Sequence, residues 1–261
     1  MPRRFVVYGH LISDRNHFIS KYYRYPSTQE LKSFITWVES LGYTFVDLES
    51  YVKNDNEKKV LLTFDDGFKV IYDELHPILK ERGVPYAIFV LTDPLTDPNF
   101  YIKTVAPDLP INETERIFLS QDEILKLKDD GVHIGFHTRN HRLVKQDDLL
   151  DEELKLQLTI PGEYAHLFSS PISFAYPYIA PKVPTVYNEY MRAQLGYKYF
   201  FDTRGFNINE TNHFYRMGID AVTTMRKNQW IKFLMKKELF IFILRQTLLS
   251  KEKGNNIKGN P

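Results

Sequence analysis

The sequence predicts an α/β fold built on a parallel sheet. Three observations carry the prediction. Short apolar runs alternate with amphipathic stretches along most of the 261 residues. Several of those runs, Val60-Leu61-Leu62-Thr63-Phe64 among them, are apolar at nearly every position, as strands covered on both faces are. The stretches between them open on capping residues and close on glycine. Seven or eight such units would close the sheet into a barrel. No internal repeat and no domain break is visible before about residue 225.

The elements follow in order. Residues 5–9 read as a strand ending at His10, and a polar, aromatic loop runs to Pro26. Ser27 and Thr28 offer N-caps to a helix with Leu31, Phe34, Ile35 and Val38 on one face, closed by Gly42. Residues 43–48 form a short apolar segment, and residues 60–64 the next strand. Residues 68–82 read as a helix that Pro77 kinks or restarts. Residues 85–91 read as a strand, and 92–119, rich in Pro, Asp and Asn, as a long loop over one end of the fold. Ser120 with Glu123 is a capping box for a helix that stops at Gly131. Strands are expected at 132–136, 172–176, 197–202 and 214–219, with helices at 147–157 and 184–195.

The tail differs. Residues 228–251 mix Trp230, Phe233, Leu234, Phe240 and Leu244 with Lys232, Lys236, Lys237 and Arg245, the pattern of a basic amphipathic helix. Such a helix docks on the barrel or adsorbs to an anionic membrane surface. Residues 1–225 are therefore expected to form the barrel, and 226–261 the C-terminal helix and a disordered tail.

Composition excludes several classes. With 34 basic and 33 acidic residues there is no electrostatic footprint for nucleic acid. Without cysteine there are no disulfides and no thiolate metal sites. The apolar run at 5–8 is too short for the core of a secretory signal, and no stretch is long enough to span a bilayer. The many aromatics, 17 Tyr and 19 Phe, serve core packing or carbohydrate stacking.

Two clusters carry candidate chemistry. Asp65-Asp66-Gly67 stands where the strand at 60–64 ends. Neighbouring carboxylates repel, so keeping both ionised needs a cation or hydrogen-bond donors close by. Asp-Asp-Gly is also an ordinary turn. His137 ends another strand and His141 follows four residues on. Two imidazoles at this spacing can meet one ion, and with a carboxylate they form a two-His, one-carboxylate face.

Together, Thr63-Phe64-Asp65-Asp66-Gly67 and His137-Thr138-Arg139-Asn140-His141 resemble the polysaccharide deacetylase family, carbohydrate esterase family four with its NodB homology domain. Tyr8-Gly9-His10 and the stretch from His76-Pro77-Ile78-Leu79-Lys80 to Val84-Pro85-Tyr86-Ala87-Ile88-Phe89-Val90 are similar to it too, so the likeness covers roughly residues 5 to 220. The resemblance implies a distorted, TIM-like (β/α)7 barrel. It implies that Asp66, His137 and His141 bind a divalent metal, zinc in most members, and that Asp65 is the general base. Phe174-Ala175-Tyr176-Pro177-Tyr178 would be the third motif. Tyr176, Pro177 and Tyr178 would then contact substrate, and the Tyr178 N–H would meet the oxyanion.

Two departures stand out. The third motif's arginine is Ala175 here, and Arg216, on a late strand, is the candidate to orient the base in its place. The late Leu-x-His motif that supplies the general acid is absent, leaving His10 and His213 as candidates. The activity implied is removal of N-acetyl groups from N-acetylated sugars of a bacterial surface glycan or its lipid-linked precursor. A cytoplasmic setting, membrane-associated through 228–251, is expected from the missing signal and the basic tail. The alternatives are deformylation, O-deacetylation or other C–N hydrolysis on the same scaffold, and a catalytically weak glycan-binding relative.

Overall fold

The computed structural model describes residues 3–15, 25–53, 56–97, 99, 116–145, 149–178, 185–203 and 212–219. Its sheet contains eight parallel strands: β1 Arg4–Gly9, β2 Thr44–Phe45, β3 Lys59–Phe64, β4 Tyr86–Val90, β5 His133–Phe136, β6 Ser173–Ala175, β7 Tyr199–Asp202 and β8 His213–Gly218. Pairing runs from β3 through β4 to β8, then to β1 and back to β3. Seven strands thus close a barrel. β2 stands outside the ring and pairs only with the first two residues of β3. This is the (β/α)7 architecture expected from the resemblance.

The strands alternate between two cores. Val6, Leu61, Phe89, Ala175, Tyr199 and Phe201 meet inside the barrel, closed at its N-terminal end by Leu48 and Tyr51 of the helix Leu48–Val52. The neighbouring positions Val7, Leu62, Ile88, Phe174 and Phe200 point outward under the helices. Every residue of β3 and β4 is buried, which is why these strands read as unbroken apolar runs. Gly135 of β5 has no room for a side chain: a Cβ there would lie 2.5 Å from the Phe89 ring and 2.4 Å from Ser173 Oγ.

The expected capping box of Ser120 with Glu123 forms, and the expected N-cap Ser27 closes a second one with Glu30. Three segments carry detail beyond the expectation. Residues 68–82 restart at Pro77, one of the two outcomes expected there. A π-helical turn, Ile71–Leu75, hands over to the α-helix His76–Glu81, in which Pro77 occupies the first turn. Proline has no N–H to donate one turn back, so the ladder changes register there. A 3-10 helix, Gly162–Leu167, precedes β6. Within 92–119, Asp93–Thr96 is a short helix, and Phe118 forms an antiparallel bridge with Phe68. The Lys69 N–H donates to Ile117 O at 2.7 Å and the Leu119 N–H to Gly67 O at 2.9 Å, fastening this segment to the turn after Asp66.

The tail at 226–261, including the amphipathic stretch 228–251, lies outside the described residues. Among the described residues no helix is long and apolar enough to cross a membrane.

Candidate active site

The candidate residues converge on the C-terminal end of the barrel, where parallel barrels carry their chemistry. The Asp65 N–H extends the sheet by donating to Gly9 O at 2.9 Å, and the His137 N–H does so to Val90 O at 3.1 Å. Beyond these points the backbone turns sharply. Among the described residues five non-glycine positions have positive φ, and four of them are Asp66 (71°), Thr138 (69°), His141 (64°) and Tyr178 (57°). Left-handed backbone is costly for L residues with a Cβ and concentrates where function needs an otherwise unfavourable geometry. Thr138 Oγ1 accepts the Arg142 N–H at 3.0 Å and bends the chain so that His141 comes back toward His137.

Asp66, His137 and His141 are all buried, and their ligand atoms lie within 4.8 Å of one another. Asp66 Oδ1 is 3.5 Å from His137 Nε2 and 3.3 Å from His141 Nε2. The chemistry of the three fits a divalent cation. His137 Nδ1 donates to the Ala175 carbonyl at 2.7 Å, which leaves the Nε2 lone pair facing Asp66. Burial pushes the His137 imidazole down to about 4, with Asp65 opposing. Burial, then the charge of His10, pushes His141 down to about 3. Both rings are therefore neutral near pH 7, as metal ligands must be.

Asp65 is held differently. Arg216 grips it with two hydrogen bonds, Nη1 to Oδ1 at 2.6 Å and Nη2 to Oδ2 at 2.8 Å. Burial raises the Asp65 carboxyl, but the Arg216 guanidinium and then His137 outweigh it, and Asp65 stays below the usual carboxylate range. Its Oδ2 lies 4.0 Å from His137 Nε2. Arg216 is itself buried in β8, its guanidinium 4.8 Å from the Tyr8 ring and 5.4 Å from the Phe89 ring. Thr63 Oγ1, which donates to Val7 O at 3.0 Å, lies 3.4 Å from Arg216 Nη1.

Other sequence candidates fall into two groups. His10, half-buried at the end of β1, sits close enough for its charge to act on both Asp65 and His141. Tyr178 is half-exposed with its ring 4.3 Å from that of His141, and Pro177 beside it is buried. Tyr176 and His213 point the other way. Ala175 and Phe201 face the barrel interior, so Tyr176 and Asp202, the next residues along their strands, face outward. The Tyr176 hydroxyl donates to Asn188 Oδ1 at 2.6 Å, and His213 Nε2 donates to Asp202 Oδ2 at 2.6 Å. Neither joins the metal-ligand cluster, and this corrects the expectation that Tyr176 touches substrate and that His213 competes with His10 as acid. The Tyr8 and Phe89 rings, the Ala175 carbonyl and Thr138 escaped sequence reading. Each sat inside a stretch already singled out, at 8–10, 84–90, 174–178 and 137–141, but none had been given the role it plays there.

A family model described as polysaccharide deacetylase matches residues 52–200, a span that includes Asp65, Asp66, His137, His141 and Tyr178 and leaves out His10 and Arg216. A poly-β-1,6-N-acetyl-D-glucosamine N-deacetylase of Staphylococcus epidermidis is 32% identical over 78 residues, 28% of this chain and 27% of that protein. A Staphylococcus aureus protein of the same name is 28% identical over 101 residues, 33% of this chain and 34% of its own length. The chain thus aligns with about a third or less of the curated relatives it matches. Among solved structures, the Streptococcus pyogenes deacetylase PplD in complex with acetate superposes with a TM-score of 0.63 at 18% identity, over 85% of this chain and 97% of that one. IcaB from Ammonifex degensii superposes with a TM-score of 0.57 at 20% identity, over 88% and 94%. These likenesses share the barrel, and with the family match over more than half of its length the chain belongs to the polysaccharide deacetylase family.

Proposed function

We propose that this chain is a metal-dependent hydrolase that removes the N-acetyl group from an N-acetylated sugar of a bacterial surface glycan or its precursor. The observation that carries the reading is the division of labour between adjacent carboxylates. Asp66 lies within 3.5 Å of two neutral imidazoles, while Asp65, 4.0 Å from His137, has both of its oxygens clamped by Arg216. One carboxylate suits a cation and the other suits a proton.

Asp66, His137 and His141 would hold the ion, and two nitrogens with one oxygen suit Zn2+. A bound divalent ion lowers the pKa of water and polarises a carbonyl oxygen. The protein supplies the rest. Asp65, kept ionised by Arg216, accepts the proton of the attacking water. The Tyr178 N–H, on the left-handed turn whose side chain lies beside His141, donates to the oxygen that gains charge when the amide carbon becomes tetrahedral. His10 returns a proton to the leaving amine, so that the C–N bond breaks to acetate and a free amino sugar. Tyr178 and Pro177 border the sugar, and Tyr176 supports them from the outer face.

The test is acetate release from N-acetylglucosamine oligomers by Zn2+-reconstituted protein, with Asp65→Asn alongside. Release that disappears in the variant supports the reading. Formate from an N-formyl sugar, acetate from an O-acetyl sugar or ammonia in its place would move the chain to another reaction on the same scaffold. Oligomer binding without product would make it a binding relative.

A further inference from the structure

A buried chain of hydrogen bonds on the outer face of the barrel plays no part in the chemistry above. It starts at the Tyr176 hydroxyl, which donates to Asn188 Oδ1 at 2.6 Å. Asn188 Nδ2 lies 2.9 Å from His213 Nδ1, and His213 Nε2 lies 2.6 Å from Asp202 Oδ2. All four side chains are buried, and Asn188 is fully so. The polarity of the chain has one solution with a neutral imidazole. A carboxylate only accepts, so Nε2 carries the proton; Nδ1 then accepts from the Asn188 amide, whose oxygen is left for the tyrosine. The Tyr176 and His213 rings lie nearly parallel, 11° apart. The chain ties the helix Thr185–Leu195 to β7, β8 and the residue that follows β6.

We infer that Asn188 and His213 are positioning residues: through Tyr176 they fix the turn 175–178, which carries the carbonyl that orients His137 and the backbone N–H of Tyr178. The inference rests on the reading of the site given above. Two observations on the turn support it. The Ala175 carbonyl that accepts from His137 Nδ1 belongs to the residue just before Tyr176. Tyr178 is left-handed and half-exposed, and the residues that lead into it, 173–177, are all buried. Tyr176 is held there twice, by the side-chain bond to Asn188 and by its N–H donating to Phe201 O at 3.0 Å. A buried polar chain with every member satisfied rigidifies what it holds.

The test uses the full chain loaded with Co2+, whose visible spectrum reports the geometry of the His137 ligand, with steady-state acetate release and the thermal midpoint measured beside it. Asn188→Leu should change the Co2+ spectrum and lower kcat about tenfold, as loss of groups that orient a ligand does. KM should stay within about twofold, because the turn acts on the reacting centre more than on the bound sugar. Tyr176→Phe, which removes one oxygen and carries the test if Asn188→Leu does not fold, should move both readouts the same way by less. The double variant should fall no further than Asn188→Leu, since the hydroxyl works through Asn188. A lower thermal midpoint with an unchanged Co2+ spectrum and unchanged kcat would reduce the chain to helix packing and overturn the inference. A spectral response without acetate release would keep the positioning and reject the deacetylase reading. The spectrum of free aqueous Co2+ from the unsubstituted protein would reject both.

Discussion

At the N-terminal end of the barrel, Val6, Leu61 and Phe201 close around Leu48 and Tyr51. At the C-terminal end, Asp65, Asp66, His137 and Arg216 are 3% exposed or less, as buried as the apolar residues below them. One interior is thus equally dry at both ends and opposite in chemistry. Below, burial itself is the stabilising force. Above, burial opposes every charge and has to be offset by pairing, by neutralisation or by an ion. The apolar end can lose a side chain and forfeit only stability. The polar end cannot lose a partner without changing the protonation or the geometry of the others.

The largest effect should follow from removing the charge without the shape. Asp65→Asn keeps the size of the side chain and cannot accept a proton, so kcat for acetate release should fall about 10²–10⁴-fold, the usual worth of a general base. Metal stoichiometry, read by atomic absorption, should stay unchanged, because Asp66, His137 and His141 remain. Loss of metal together with activity would mean that Asp65 is itself a ligand.

Arg216→Met and Leu61→Ala set the two ends directly against each other. Each should cost several kcal/mol in urea unfolding, about 3–5 for a buried charge left without its partner and about 2–5 for a leucine cavity. Only Arg216→Met should also depress kcat, because Asp65 loses both of its clamping hydrogen bonds. Equal loss of kcat per folded molecule in the two variants would erase the distinction between the ends.

The polar end also predicts a pH dependence for the metal-free protein. The His137 and His141 rings fall from 6.5 to about 4 and about 3, chiefly through burial. Between those values the unfolded chain binds protons that the folded chain does not, so folding stability rises with pH there. Stability is complete above about pH 6.5 and declines as pH falls toward 4. Asp65, held low by Arg216 against its burial, adds stability that is present above the ordinary carboxylate pKa and is lost only as pH falls through its lower folded value. Urea midpoints measured from pH 8 to pH 4 should fall mostly below 6.5. His137→Gln, which cannot gain a charge, should flatten that decline, and an unflattened slope would locate the titration elsewhere.

How much of this was legible in the sequence follows from the distance over which each feature is specified. The strand ending in Asp65-Asp66-Gly67 and the pair His137 and His141 are local, and they stand out from the residues alone. The N-cap at Ser27 and the capping box at Ser120 are local too, and both form. Arg216 was joined to Asp65 only through the family resemblance, because the two are 151 residues apart and meet only when β8 closes the barrel beside β1. Tyr176 was misjudged because a single step along a strand reverses the face, and nothing in Phe174-Ala175-Tyr176 fixes the phase: both faces of β6 are buried. The Ala175 carbonyl is backbone and leaves no mark on residue identity. The π turn at Ile71–Leu75 depends on how the ladder adapts to Pro77, which the proline announces without specifying.

The smallest effect sits where the two ends meet. Gly135 lies against Phe89, whose ring packs into the apolar interior below and stands 5.4 Å from the Arg216 guanidinium above. A methyl group at 135 would come within 2.5 Å of that ring and 2.4 Å of Ser173 Oγ, so something has to move. Gly135→Ala should therefore cost about 1–3 kcal/mol in urea unfolding, the usual range for overpacking a core. A Phe89 ring that yields toward Arg216 disturbs the clamp, so a loss of kcat smaller than that of Arg216→Met should accompany it. Phe89→Leu in the same molecule makes room for the methyl and should restore part of the lost stability. It also removes a ring from beside the guanidinium, so kcat should not recover with it. Recovery of both together would mean that the ring matters to Arg216 only as volume, and that the apolar end reaches the polar one through packing alone.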